Sequence, residues 1–299
     1  MLQDRTNMEY HGLSIVILTY NTEVTLLDNC ITAIYRNNDI EENLEVIVVD
    51  NNSNNQNEVN LYLAQNFPNV QIVNNTINAG YGAGNNLGVE HAKYAYVLLI
   101  NPDVELIKPV FQWGVTNFIQ NSNLKLLGLQ QIDQNNKKTH SFLARKLTVN
   151  SFLVNFFLQK LNHFNPKYSV INGACFFLRK SSFIQIGGYD PKIFLYGEER
   201  YLHEHILKSF PNAEIKMDMS QEYQHPISDR PFSLHIVELG LNSYFYLQQK
   251  LGYLHKTTYQ SVVKYYKFLI LFYTLKNKQK SIADIKLILQ LLKSKFFKI

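Results

Sequence analysis

The chain has 299 residues, 46% of them hydrophobic, two cysteines and a net charge of +5. That is enough for one large domain with an appendage or for two small ones, and it excludes a disulfide-built scaffold: Cys30 and Cys175 sit among apolar neighbours and read as reduced, buried thiols. No Cys/His spacing resembles a zinc site, the opening MLQDRTNMEYHG lacks the apolar core of a signal peptide, and the longest apolar run, residues 268–275, is too short to span a bilayer. Residues 276–299 carry seven lysines and one acid, net +6, which leaves −1 for the remainder. The positive charge therefore reads as a basic tail and not as a nucleic-acid-binding body.

LSIVILTY (13–20) and LEVIVVD (44–50) are short β-branched runs without polar alternation, the pattern of strands covered on both faces. Between them Val24, Leu27, Ile31 and Ile34 recur at helical spacing, with Thr22 placed as the N-cap. A helix over 58–66, a strand over 70–75, a helix over 84–93 and a buried strand over 96–100 follow. Strand and helix in alternation predict an α/β fold with a parallel sheet and right-handed crossovers. Further on, 111–121 reads as helix and 125–133 as strand. From 134 to 169 the pattern weakens, with 151–161 an apolar helix or lid. Residues 171–183 return as strand and helix start, and GGYD (187–190) as a turn. The last 70 or so residues are predicted helical, with Ile282, Ile285, Leu289, Leu292 and Phe296 on one face and Lys286, Lys293 and Ser294 off it.

Three strand ends carry polar groups: Thr19-Tyr20-Asn21, Asp50-Asn51-Asn52-Ser53 and Asn101-Pro102-Asp103. The carboxyl edge of an open α/β sheet is where such folds bind ligands, and carboxylate, hydroxyl and amide groups there suit a nucleotide. If the backbone after Ile100 stays extended, Asn101 and Asp103 share one side. NAGYGAGNNLG (78–88) adds Gly80, Gly82 and Gly84 before a helix start that favours anions. It is neither a dinucleotide fingerprint nor a P-loop.

Taken in order, TYN, VVDNNS, NAGYGAGNN, LLINPD, INGACFFLRKSSFIQIGGYD, FLYGEER and QEYQH resemble bacterial family-2 glycosyltransferases of the GT-A fold, and within them the rhamnosyltransferase-like branch. The resemblance covers roughly residues 12–226. It implies a GT-A catalytic domain over 1–226, with a nucleotide-sugar-binding half at about 12–110 and an acceptor half at about 111–226, followed by a helical basic extension over 227–299. It implies inverting transfer of a sugar from a UDP- or dTDP-sugar to a hydroxyl of a surface polysaccharide or lipid-linked glycan. Asn101-Pro102-Asp103 matches the Asp-x-Asp-type motif, so Asp103, with His225, is expected to hold Mg²⁺ or Mn²⁺ against the donor diphosphate. Thr19, Tyr20, Asn21, Asp50, Asn52 and Asn101 match donor-nucleotide positions, and Gly80, Tyr81 and Asn85 a loop closing over the donor. Glu199 matches the catalytic base, while Glu198, Gly173 and Ala174 match the acceptor side. The chain departs from the family pattern just after: Arg200 and Tyr201 stand where a second acid is usual, and His205 where an arginine is common. A pseudoenzyme that binds nucleotide-sugar or glycan without turnover is the alternative. A nucleotidyltransferase would want a basic residue in a Gly-rich loop after strand one, and TYNTEV has none.

The lysine-rich end suggests contact of 276–299 with an anionic membrane surface, and the aromatics Tyr259, Tyr265, Tyr266, Phe268 and Phe272 suggest a homodimer through 255–299. A cytoplasmic location, peripheral on the inner face of the membrane, fits these expectations, with no nucleic-acid partner.

Overall fold

A computed structural model describes residues 12–139, 141–226 and 231–297. The stretch MLQDRTNMEYH and the tail's Lys298 lie outside them. The chain divides into two compact units, one of residues 1–142, 171–194 and 198–227, the other of 143–170, 195–197 and 228–299.

In chain order the elements begin with β1 (Leu13–Thr19), α1 (Val24–Arg36), β2 (Leu44–Asp50), α2 (Gln56–Asn66), β3 (Gln71–Asn74), α3 (Tyr81–His91) and β4 (Tyr96–Ile100). There follow β5 (Glu105–Leu106), α4 (Phe111–Gln120), β6 (Leu124–Ile132), β7 (Phe142–Ala144), α5 (Val149–Lys160) and β8 (Ser169–Ile171). Then come β9 (Cys175–Arg179), α6 (Lys180–Gln185), α7 (Glu198–Ser209), β10 (Glu214–Gln224), α8 (Leu234–Lys250), α9 (His255–Leu275) and α10 (Gln279–Leu291).

The first unit is built on an eight-stranded sheet of order β3-β2-β1-β4-β9-β6-β10-β5. Strands β3, β2, β1 and β4 run parallel, β9 runs against both β4 and β6, β10 is parallel to β6, and β5 is antiparallel to β10. The mostly parallel α/β sheet expected from the alternation is thus present. The central strands β1, β2, β4 and β9 are apolar almost throughout because both faces are covered, whereas β3 and β10 (EIKMDMSQEYQ) are largely polar and only partly buried. Leu13, Ile15 and Ile17 of β1 share a buried cluster with Leu27, Ile31 and Ile34 of α1 and with Phe111, Val115 and Phe118 of α4. The opposite face of β1, Val16 and Leu18, meets α3.

That second contact depends on two glycines one helical turn apart. A Cβ on Gly84 would stand 2.3 Å from Leu18 Cδ1, and one on Gly88 2.3 Å from Val16 Cγ1 and 3.0 Å from Val49 Cγ2. Alanine at 88 would gain roughly 1 kcal/mol of helix propensity, but the buried branched side chains of two strands must yield to it. Overpacking of this kind typically costs about 1–3 kcal/mol. Gly88→Ala is therefore expected to lower the urea midpoint of unfolding; an unchanged or raised midpoint would contradict this packing.

Local details depart from the sequence reading. Thr22 is not the N-cap of α1: Glu23 occupies that position and makes no side-chain capping bond. Helix α2 starts at Gln56 and α3 at Tyr81, earlier than periodicity indicates, since both opening turns are polar or glycine-rich. Asn101 to Val104 does not stay extended. Val104 N–H donates to Asn101 O at 3.2 Å, closing a β-turn with Pro102 at its second position, where the fixed φ of proline is favoured.

In the second unit Leu241, Phe245, Val262, Ile288, Leu292 and Phe296 form a core cluster among α8, α9 and the chain end. The anticipated buried face of the last helix is present at Ile282, Ile285, Leu292 and Phe296, with Ile288 and Leu291 buried beside it and Leu289 only half-buried. Helix α5 is capped by Thr148, whose side chain accepts from Ser151 N–H. Its Phe152 ring lies 5.1 Å from that of Phe272, 5.9 Å from Phe268 and 6.2 Å from Tyr265, and Tyr259 lies 5.3 Å from Phe297. The aromatics of 255–275 that suggested a dimer face thus find partners in their own chain. Among the described residues no helix is long and apolar enough to cross a membrane.

Candidate active site

The site is assembled at the carboxyl ends of the parallel strands of the first unit. Register pairs Thr19 with Asp50 and Asp50 with Asn74, so three strand ends stand side by side, and β4 delivers the 101–104 turn next to them. Asn51 N–H donates to Thr19 O at 2.9 Å. Asp50 is fully buried; its Oδ1 accepts from Ser53 N–H and from Gln56 Nε2, both at 2.8 Å. Asp50 Oδ2 and Thr19 Oγ1 are buried with no hydrogen-bond partner among the described residues. A buried acceptor left unsatisfied costs on the order of 1–3 kcal/mol, so both atoms are suited to a ligand's N–H or O–H groups.

Two residues over this pair hold left-handed backbone, Asn21 at φ 50° and Asn52 at φ 64°. Asparagine tolerates that region better than most residues because its side chain bonds locally. Asn21 N–H donates to Ser53 Oγ at 2.9 Å, and Asn21 Oδ1 accepts from Asn54 N–H at 2.8 Å. Tyr20, Asn21 and Asn52 are exposed, which leaves them on the open side of the strand ends.

The hub of the edge is Asn51, which the sequence places among the polar strand-end groups but does not single out as a site residue. Its Nδ2 donates to Asn78 Oδ1 at 2.8 Å and to Gly80 O at 3.3 Å, and its Oδ1 accepts from Asn75 Nδ2 at 3.0 Å. One buried amide thereby ties the end of β2 to the start of α3. The run of asparagines after a strand was the available signal, because such residues build side-chain-to-backbone turns.

Gly80 takes φ 95°, and a Cβ there would lie 2.2 Å from Phe194 O. The same carbonyl accepts from Tyr81 N–H at 3.0 Å. Tyr81 OH donates to Gly173 O at 2.8 Å. Burial, reinforced by the charges of Glu199 and Glu198, pushes its hydroxyl far above the ordinary range and keeps it a donor. Asn85 is buried and donates back to Tyr81 O at 2.9 Å, so its amide braces the first turn of α3. Asn86 exchanges two 2.8 Å bonds with the backbone of Tyr189, fastening α3 to the GGYD turn.

Across from the strand ends, Asn101 N–H donates to Ala174 O at 2.8 Å. Gly173 and Ala174 are buried, and a Cβ on Gly173 would meet Glu199 Oε1 at 2.8 Å. The Glu199 carboxylate therefore lies directly over Gly173, at the N-terminus of α7, where the helix dipole favours negative charge. Glu198 is turned inward at 3% exposure, whereas Glu199 is half-buried. His205 stacks on Tyr201 with centroids 3.8 Å apart.

His225, just past β10, is fixed by its N–H to Ile132 O at 3.0 Å. Its Nε2 stands 3.2 Å from Asp103 Oδ1, with side-chain exposures of 17% and 31%. Beneath the 101–104 turn Cys30 donates to Asn101 O at 3.7 Å, and burial together with Asp103 and Glu105 pushes its thiol far up. Both cysteines are free and buried, as expected. Among the described residues no group of three or more His, Cys, Asp and Glu forms a self-contained metal cage.

The Glycosyl transferase family 2 profile matches residues 14–187, more than half of the chain, and spans both the strand ends and the Gly173 loop. The chain belongs to glycosyl transferase family 2. No curated protein sequence matches this transferase. Among solved structures it is similar to S. aureus TarS 1–349 in complex with UDP, at 14% identity and a TM-score of 0.56, over 85% of this chain and 70% of that one. It is also similar to GalNAc-T7 with UDP, GalNAc and Mn²⁺, at 13% identity and a TM-score of 0.60, over 80% of this chain and 48% of that one. The transferase thus spans about half the length of the GalNAc-T7 chain. At these identities the likeness establishes the fold, which is GT-A-like.

Proposed function

We propose that this glycosyltransferase moves a sugar from a UDP- or dTDP-sugar to a hydroxyl of a glycan acceptor, with inversion at the anomeric carbon. The observation that carries the reading is the pair of buried, unpartnered acceptors, Thr19 Oγ1 and Asp50 Oδ2, at register partners on adjacent strand ends. A pyrimidine ring offers the N–H that a buried carboxylate needs. Tyr20, Asn21 and Asn52, exposed on positive-φ turns or beside them, would line the nucleoside. Gly80, Tyr81 and the start of α3 face the donor from the other side, and helix N–H groups favour its diphosphate.

Asp103 and His225 are the residues that would hold Mg²⁺ or Mn²⁺. In the structure their Nε2···Oδ1 contact of 3.2 Å is a hydrogen bond, and a carboxylate and an imidazole side by side are donor types that could share a dication in its place. Two protein ligands leave room for phosphate oxygens and water, the way such ions are shared with nucleotides. Bound there, the ion supplies charge neutralisation for the leaving diphosphate.

Glu199 is the base. As the acceptor oxygen bonds to the anomeric carbon, its proton passes to the Glu199 carboxylate, the bond from that carbon to the diphosphate oxygen breaks, and the nucleoside diphosphate leaves. Gly173 and Ala174 floor the acceptor side, since any side chain at 173 would occupy the space of the carboxylate. Glu198, buried near Tyr81 and Tyr189, supports this wall. The likeness of the motifs to the rhamnosyltransferase-like branch makes a surface-polysaccharide or lipid-linked acceptor the preferred class.

A second reading, binding without turnover, is favoured by Arg200 and Tyr201 where a further acid is usual. Incubation with a panel of UDP- and dTDP-sugars separates the two. Nucleotide release with one member, accelerated by a glycan acceptor, is expected; binding with no release from any donor supports the second reading.

A further inference from the structure

The second unit carries far more positive charge than the tail alone. Residues 143–170, 195–197 and 228–299 hold sixteen Lys and Arg against three Asp and Glu, net +13, which leaves −8 for the first unit of this +5 chain. Residues 143–170 contain no acid at all.

Within that unit two helices run parallel. Phe152 of α5 packs on Tyr265, Phe268 and Phe272 of α9, and Phe156, one turn on, packs on Phe272 at 5.6 Å. Lys276 Nζ sits over the same Phe156 ring at 5.1 Å. The two carboxyl-terminal ends therefore lie together. Each helix also turns an apolar stripe outward at that end. On α5 these are Phe157 and Leu161, 59% and 75% exposed; on α9 they are Leu271 and Leu275, 59% and 79% exposed. Isolated exposed leucines need no explanation, but a cluster at one place marks an interaction surface. Lys160 and Lys276, both exposed, flank it, their ammonium groups near Phe156 at 4.7 and 5.1 Å, and the exposed Lys278 and Lys280 follow within four residues of Lys276.

We propose that the joined ends of α5 and α9 form a face that docks on an anionic lipid bilayer, burying Phe157, Leu161, Leu271 and Leu275 while these lysines meet lipid phosphates. Charge complementarity selects this occupant. Apolar residues flanked by lysine suit the boundary between headgroups and acyl chains. A second copy seated symmetrically on the same patch would set lysine against lysine. A nucleic acid would call for aromatic stacking platforms, and three of the four exposed residues are aliphatic. No described helix is long and apolar enough to cross a membrane; the contact proposed is a peripheral one. It also relocates the contact expected of 276–299: only Lys276, Lys278 and Lys280 of that tail take part, and half of the surface comes from residues more than 100 positions earlier.

Co-sedimentation with phosphatidylcholine vesicles, with and without phosphatidylglycerol, tests the proposal. The wild-type chain is expected to bind only the anionic vesicles. The triple variant Lys276→Gln, Lys278→Gln, Lys280→Gln is expected to lose roughly 10²-fold in partitioning. The pairs Phe157→Ser/Leu161→Ser and Leu271→Ser/Leu275→Ser are each expected to lose about 10-fold or more. All these positions are exposed, and unchanged melting temperatures establish that the variants fold. Equal binding to both vesicles, undiminished binding by the serine pairs, or a wild-type dimer that the serine pairs dissociate without any vesicle binding would overturn it. The inference does not rest on the transfer reaction, and nucleotide affinity measured on the same samples keeps the two apart.

Discussion

Glu199→Gln is expected to reduce turnover on the order of 10²- to 10⁴-fold while nucleotide binding stays as in the wild type. The amide keeps the size of the carboxylate and its place over Gly173, where Oε1 stands 2.8 Å from the position of an absent Cβ, but it cannot take up the acceptor's proton. Donor binding is assigned to the strand ends and to the start of α3, so it has no reason to fall. Steady-state kinetics with calorimetry of the nucleoside diphosphate separates the two effects. Equal loss of affinity and turnover would make Glu199 a structural residue of the α7 N-terminus. Near-normal turnover would remove it from the chemistry altogether.

Asp103→Ala is expected to abolish the dependence of donor affinity on Mn²⁺, a loss of at least about 10-fold at saturating metal, with metal-free affinity unchanged. His225 alone then faces the site, and a single imidazole does not hold a hard dication that prefers oxygen. The fold should tolerate the change, because the 101–104 turn is closed by backbone, through Val104 N–H to Asn101 O and Asn101 N–H to Ala174 O. Persisting Mn²⁺ enhancement in the variant would place the metal elsewhere.

What the sequence made legible follows from which features are local. Runs such as Val46–Val49 and Val97–Ile100 can be read as strands because burial on both faces leaves no polar alternation, and they are fully covered. The alternation of such runs with helices fixes parallel neighbours, so the meeting of Thr19, Asp50 and the 101–104 turn at one edge was accessible in advance. Turn geometry was not. Pro102 biases Asn101 towards extended backbone, yet the hydrogen bond from Val104 bends the segment, and the two side chains are placed by that turn and not by a strand's alternation.

Long-range partnerships were the other loss. Asn86 bonds to Tyr189 across 103 positions, and Tyr81 to Gly173 across 92; periodicity carries no information about such pairs. For the same reason 134–169 read as a stretch of weak pattern, although its Phe152 and Phe156 pack on helix α9. The charge of the chain consequently looked like a property of its last two dozen residues, when it belongs to a whole compact unit.

Calorimetric titration of UDP and of dTDP into the wild-type chain, with and without Mn²⁺, tests the central claim most directly. Binding of one or both at a single site, tightened by the metal, is the predicted result, and the preferred base would identify the donor class. Absence of binding by either nucleotide under both conditions would contradict the assignment of the Thr19, Asp50 and Asp103 edge as a nucleotide-sugar site.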